Sequence, residues 1–322
     1  MASINSMTSM NASLSFKELR YVTDVPVYVT KNAMNVIAFT ASLVVTICFG
    51  LFGLGRDVKG NASEINDELQ TLISPRFWTF SVWVVIFLIQ GVFLFAQSLK
   101  PFRNLPIVQN GIKYHLFLIH CFHIGWVVSY VFKSIPVATG FMAMCVIFLL
   151  LLSRDIYDLD FEPAVEGATE ARQPRGIEIS TEYLLFKFPF HLHLGSAMVL
   201  LVVNINQLFL FYDWRFQGTV AIISLFVFWL IGTFSLFFLR IPNFTVPLTI
   251  AWGVMGIWLS LTPVTNELIE DFDKRLVFQI RNGAIVVCLE HLVFTIVRFL
   301  FHFEYPHTEL AQHQRVSRIA NC

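Results

Sequence analysis

Pro136-VATGFMAMCVIFLLLL-Ser153 runs for 18 residues without a single charge. At about 1.5 Å of rise per residue a helix of this run covers about 27 Å, close to the roughly 30 Å of a bilayer's hydrocarbon core. Seven further runs, at 36–55, 77–97, 114–132, 184–211, 218–239, 246–261 and 283–301, have the same character. Together with 136–153 they predict an all-α, polytopic transmembrane bundle of about eight spans. Composition agrees: 56% of residues are hydrophobic, 14% are charged, and 34 are phenylalanine. That is more apolar surface than a soluble domain of this length buries in one core.

The formal net charge is zero, which removes the concentrated positive charge that nucleic-acid binding requires. Five cysteines, Cys48, Cys121, Cys145, Cys288 and Cys322, are scattered singly. With no CxxC pair among them, they read as reduced, buried thiols and not as zinc or redox chemistry. The first 30 residues are polar, so no cleavable signal peptide is expected and the first span serves as the insertion signal.

Of the 22 lysines and arginines, 14 fall on the side of the N-terminus and 8 on the other. This bias predicts cytoplasmic N- and C-termini. In that orientation the sequon Asn61-Ala-Ser63 lies outside, where it is available for glycosylation, and those at Asn11 and Asn243 lie inside. The bias does not name the membrane. Most loops are short, so successive spans are expected to be antiparallel neighbours. The exception, 154–182, holds eight acidic residues, three arginines and interrupting prolines and glycines. It reads as an acidic cytoplasmic linker between a first half (36–153) and a second (183–303), with polar tails at 1–35 and 304–322. The halves show no inverted repeat, which weakens an alternating-access reading.

Within the spans, the informative residues are those that lipid rejects. Glu290 sits mid-span beside His291, where an ionised carboxylate costs about 2.5–3.5 kcal/mol. It is either a proton-coupling carboxyl facing a cavity or a neutral group bonded to a neighbouring helix. Arg298 lies about 12 Å further along the axis, where it snorkels to the interface. His120 and His123 share one helix face, a spacing that suits a metal or haem-iron pair; interhelical hydrogen bonding is the ordinary alternative. His191 and His193 point about 200° apart. Gln90, Asn204, Asn206 and Gln207 are expected to bridge helices or line a cavity. Trp83 and Trp126 lie inside spans beside small residues, where an indole can face a ligand.

The segment Ser74-Pro-Arg-Phe-Trp-Thr-Phe-Ser-Val-Trp83, followed by Ile86-Phe87, resembles the extended multi-span relatives of the tryptophan-rich sensory protein, the branch related to the translocator protein (TspO). Gly125-Trp126, the fourth span ending Leu151-Leu152-Ser153, Phe188-Pro-Phe-His-Leu-His-Leu-Gly195 with Asn204, and Ala251-Trp-Gly-Val-Met-Gly-Ile257 are similar to that family in the same order. The chain departs from it at Ser196 and Met198-Val199, where the family carries a further tryptophan. The resemblance implies an aromatic cavity for a hydrophobic or flat aromatic molecule of tetrapyrrole or sterol class, with Trp78, Trp83, Trp126, Trp252 and Asn204 as candidate ligand residues. The missing tryptophan argues against porphyrin.

Every lysine lies in a loop, a tail or at a span edge, which disfavours a retinal Schiff base; the arginine spacing of a voltage sensor is absent, and no nucleophile–base pair or metal spacing stands out. The chain is therefore expected not to be an enzyme. Its expected partners are membrane lipids and a hydrophobic small molecule, held in a sensor or carrier. The alternative expectation is a proton-coupled transporter titrating at Glu290 and His291.

Overall fold

The computed structural model describes residues 30–53, 65–66, 68–99, 102, 107–112, 114–159, 183–214, 216–239, 241–262 and 272–304. Asn11, Asn61, Cys322 and the linker beyond residue 159 lie outside them. The described residues form eight principal helices and no strand: α1 Thr30–Leu51, α2 Phe77–Ser98, α3 His115–Val131, α4 Ile135–Leu159, α5 Tyr183–Phe211, α6 Gln217–Phe237, α7 Thr245–Ser260 and α8 Lys274–Glu304. Six are long and apolar enough to cross a membrane, and α3 and α7 are shorter apolar helices. The chain is an integral membrane protein of all-α, multi-pass architecture.

Several boundaries move for reasons that hydropathy does not see. α8 begins at Lys274, not 283, because its first turns carry Lys274, Arg275 and Arg281 while burying Val277 and Ile280. α4 continues through Arg154–Leu159, where Arg154 pairs with Asp158 one turn on at 3.5 Å; the first residues assigned to the linker are thus helical. α1 starts at Thr30. Its polar Asn32 is engaged by Gln97 and donates to Ser98 at 3.2 Å, joining the start of α1 to the end of α2.

Antiparallel alternation shows in contacts at both ends of the bundle. Lys133, in the α3–α4 turn, pairs with Glu68 of the first loop. At the opposite end the Ile241 N–H donates to the Tyr157 hydroxyl at 3.0 Å, tying α4 to the α6–α7 turn. Asn243 is occupied there as a helix cap: its Oδ1 accepts the Thr245 and Val246 N–H groups at 3.1 and 3.2 Å.

α5 is the central element, packed against α2, α4, α6 and α7. In its most apolar window 61% of residues are buried, against 17% for α1. Its polar side chains turn toward neighbours, as hydrocarbon surroundings demand. The Asn206 amide donates to Ser224 on α6 at 2.8 Å, and the Gln207 amide to the Tyr130 hydroxyl on α3 at 3.0 Å. Phe190 and Phe186 pack edge-on against Phe93 of α2, at 5.1 and 5.8 Å between ring centroids.

The α5–α7 seam depends on close approach. A Cβ placed on Gly195 would fall 2.7 Å from Thr249 Cβ, and one on Gly253 would fall 2.8 Å from a methyl of Val199. Both partners branch at Cβ and have little freedom to withdraw. Gly195→Val is expected to cost about 1–3 kcal/mol by overpacking, read as a lowered melting temperature in detergent; an unchanged melting temperature would show that the seam relaxes.

Candidate functional site

Three helices converge on one cavity. Phe80, Trp83 and Phe87 lie three and four residues apart on α2 and so share a face. His123, Trp126 and Tyr130 do the same on α3. α1 contributes Thr46, Ile47, Gly50 and Leu51 from its last turn, where the helix widens into a π-helical turn over Thr46–Leu51. Such turns are frequent at functional sites. The resulting cavity measures about 330 Å³, within the range of small-molecule sites.

Aromatic rings form its inner wall. Trp83 and Trp126 lie nearly parallel, with 21° between their planes and 6.2 Å between centroids. The His123 ring is 4.5 Å from Trp83 and 5.5 Å from Trp126. None of the lining residues carries a formal charge, and Thr46, His123 and Tyr130 bring most of the polar atoms. Ile47, Leu51, Val84 and Leu88, also lining residues, are exposed on the outside of the bundle, so the cavity opens sideways toward lipid.

Behind the rings lies a buried polar layer. The Thr46 hydroxyl donates to the Ser42 carbonyl at 2.8 Å, and its oxygen lies within hydrogen-bond distance of His123 Nε2, at 3.2 Å. His193, buried on α5, takes the Gln90 amide on Nδ1 at 3.0 Å and stands edge-on to Trp83 at 5.2 Å. The Cys145 thiol donates to the Ile119 carbonyl at 3.8 Å and lies 4.0 Å from His193 Nε2. His120 packs edge-on to Phe39 at 5.4 Å, and among the described residues neither of its nitrogens has a hydrogen-bond partner. Among the described residues no three His, Cys, Asp or Glu side chains are placed to hold a metal ion. The His120–His123 pair gains no third ligand there because His123 is turned to Thr46 and His193 to Gln90.

The sequence-derived candidates separate into three places. Trp83 and Trp126 line the cavity. Trp78 and Trp252 do not: they meet edge-on at 4.7 Å on the α2–α7 seam, where Trp252 Nε1 donates to the Thr79 carbonyl at 3.0 Å. Asn204 is buried on α5, its carbonyl accepting Thr139 Oγ1 at 3.5 Å, and it does not line the cavity either. Glu290 and His291 lie on α8 against α6. Glu290 Oε1 accepts the Trp229 indole N–H at 2.8 Å, while His291 Nδ1 donates to its own helix at the Val287 carbonyl, also at 2.8 Å, with its ring pressed on Gly232.

Thr46, Gly50 and Tyr130 were not among those candidates. Tyr130 was signalled by its four-residue spacing from Trp126, but nothing in the sequence marks the π-helical turn that brings Thr46 and Gly50 in.

The fold and cavity define a polytopic helical membrane protein whose first three helices enclose an uncharged aromatic chamber that opens on the apolar outside of the bundle. The chain belongs to the TSPO-like protein family, whose model matches residues 32–297. Neither the curated proteins nor the solved structures contain a match.

Gln90→Leu removes the donor to His193 Nδ1 and leaves that nitrogen buried without a partner. The expected loss is about 1–3 kcal/mol, read by thermal unfolding in detergent; an unchanged stability would mean that the Gln90–His193 bond carries no net weight.

Proposed function

We propose that this protein binds a flat, uncharged, largely apolar small molecule against the Trp83–Trp126 wall, as a sensor or carrier and not as an enzyme. The observation that carries this reading is the 330 Å³ chamber itself. Its nearly parallel indoles suit a planar ring system, and its sideways opening suits a ligand dissolved in lipid. Among the described residues no lysine or arginine lines it, which leaves the carboxylates of a tetrapyrrole without a cation there and favours a sterol-like polycycle. Proton-coupled transport through Glu290 has less support: the carboxyl is engaged by Trp229 on the α6–α8 seam and does not line the chamber.

Gly50 supplies a clean test. A Cβ placed there meets only the Thr46 methyl, at 3.8 Å, so a larger side chain fits the helix while filling the chamber. Tryptophan fluorescence of the purified protein is expected to quench on titration with a sterol, and Gly50→Leu and Trp83→Ala to weaken binding at least tenfold. A dissociation constant above about 100 μM, weaker than about −5.5 kcal/mol, for both sterol and tetrapyrrole would overturn the reading. Glu290→Gln keeps an oxygen for Trp229 and is expected to leave ligand binding unchanged; loss of a pH-driven flux in proteoliposomes on that substitution would instead establish transport.

A further inference from the structure

One carboxyl of the spans is left partly in lipid. Glu290 is half-buried. Among the described residues its hydrogen bond is the one that Oε1 accepts from Trp229, while Oε2 has none and is open at the outside of the bundle. Along α8 the nearest lysine or arginine on either side is Arg281, about 13 Å away, and Arg298, about 12 Å away. Glu290 therefore stands near the middle of the bilayer, where hydrocarbon offers Oε2 no bond and an unpaired polar group is expensive.

The same helix carries an open seam around this group. α8 packs against α6 and α7, and in its most apolar window 28% of residues are buried, against 61% for α5. On its open side Val286, Val293, Val297 and Leu300 are 60, 53, 41 and 58% exposed. With Glu290 between Val286 and Val293, the steps along the seam are four, three, four and three residues. This is the spacing by which parallel helices interlock, and a single polar residue within such a seam fixes register and the number of chains.

Every copy of the chain inserts in the same orientation. Two copies related by a two-fold axis along the membrane normal therefore set their α8 helices parallel and their Glu290 groups at one depth. A carboxyl is a partner for its own kind, because the O–H of a protonated one donates to the free oxygen of the other. A different membrane protein would have to bring a polar group to this depth and this face; a second copy does so by symmetry. We propose that two copies of this chain pair in the bilayer along the outer face of α8, with the free oxygens of the two Glu290 carboxyls meeting at the axis and Trp229 holding each carboxyl by Oε1.

The test counts copies of the full chain in liposomes by single-molecule photobleaching of a C-terminal fluorescent tag, over a range of protein-to-lipid ratios. The melting temperature in detergent checks folding. The unaltered protein is expected to pass from single copies to pairs, and no further, as its density rises. Glu290→Leu removes the carboxyl, and Val293→Trp keeps it but obstructs the seam from an exposed position. Each is expected to raise the dissociation constant of the pair about tenfold, the scale of one or two interhelical hydrogen bonds. Glu290→Gln keeps a donor and an acceptor and is expected to stay paired. Single copies of the unaltered protein at every density would overturn the pairing. Pairs that survive both Glu290→Leu and Val293→Trp would place the contact on another face and overturn this one, and loss of pairing in Glu290→Gln would overturn the hydrogen bond between the two side chains.

Discussion

Hydrocarbon offers no hydrogen bonds, and this constraint organises the molecule. Backbone groups in lipid must pair within their own segment, so every described span is helical. Polar side chains must find partners across helices or sit where the protein covers them. α5 meets much of that demand: its His193, Asn206 and Gln207 reach Gln90 on α2, Ser224 on α6 and Tyr130 on α3. Gly195 on α5 and Gly253 on α7 let the two helices approach closely enough for van der Waals contact to replace a hydrophobic driving force that lipid does not supply.

The chamber is the exception that this rigid centre permits. α1 is the least buried long helix, and it meets α3 through its π-helical turn. A wider turn holds the last part of α1 off the Trp83–Trp126 wall and leaves a gap lined with side chains instead of filled by them. The polar layer behind the wall fixes those rings: His123 is held by Thr46, and His193 stands edge-on to Trp83 under the hold of Gln90. A stiff inner wall facing a thinly packed outer helix is an arrangement suited to a ligand arriving from the bilayer.

Much of this was legible in the sequence, but unevenly. The spans follow from charge-free runs, because exclusion of charge from hydrocarbon is a local property of each segment. Their ends follow less well. α8 extends back to Lys274 and α4 on to Leu159, since a helix can continue into water wherever i,i+4 pairs and one buried face support it. Among the tryptophans, depth beside small residues pointed to Trp83 and Trp126, and the family resemblance added Trp78 and Trp252. The fold sends Trp83 and Trp126 to the chamber and pairs Trp78 with Trp252 on a seam, a choice that depends on which face of each helix meets which neighbour.

By itself, then, the sequence determined that the chain is an eight-helix membrane bundle of this family, with buried histidines, amides and tryptophans in known spans. Tertiary structure alone decided that His123 and His193 turn to Thr46 and Gln90 instead of to each other, that Glu290 is engaged by Trp229, and that α1, α2 and α3 enclose a space. The reason is physical. Insertion into lipid is set by the summed transfer cost of each segment, which composition encodes directly. A cavity is set by where packing fails between residues far apart in the chain, Thr46, Trp83 and Trp126 here, and only their assembled positions contain that information.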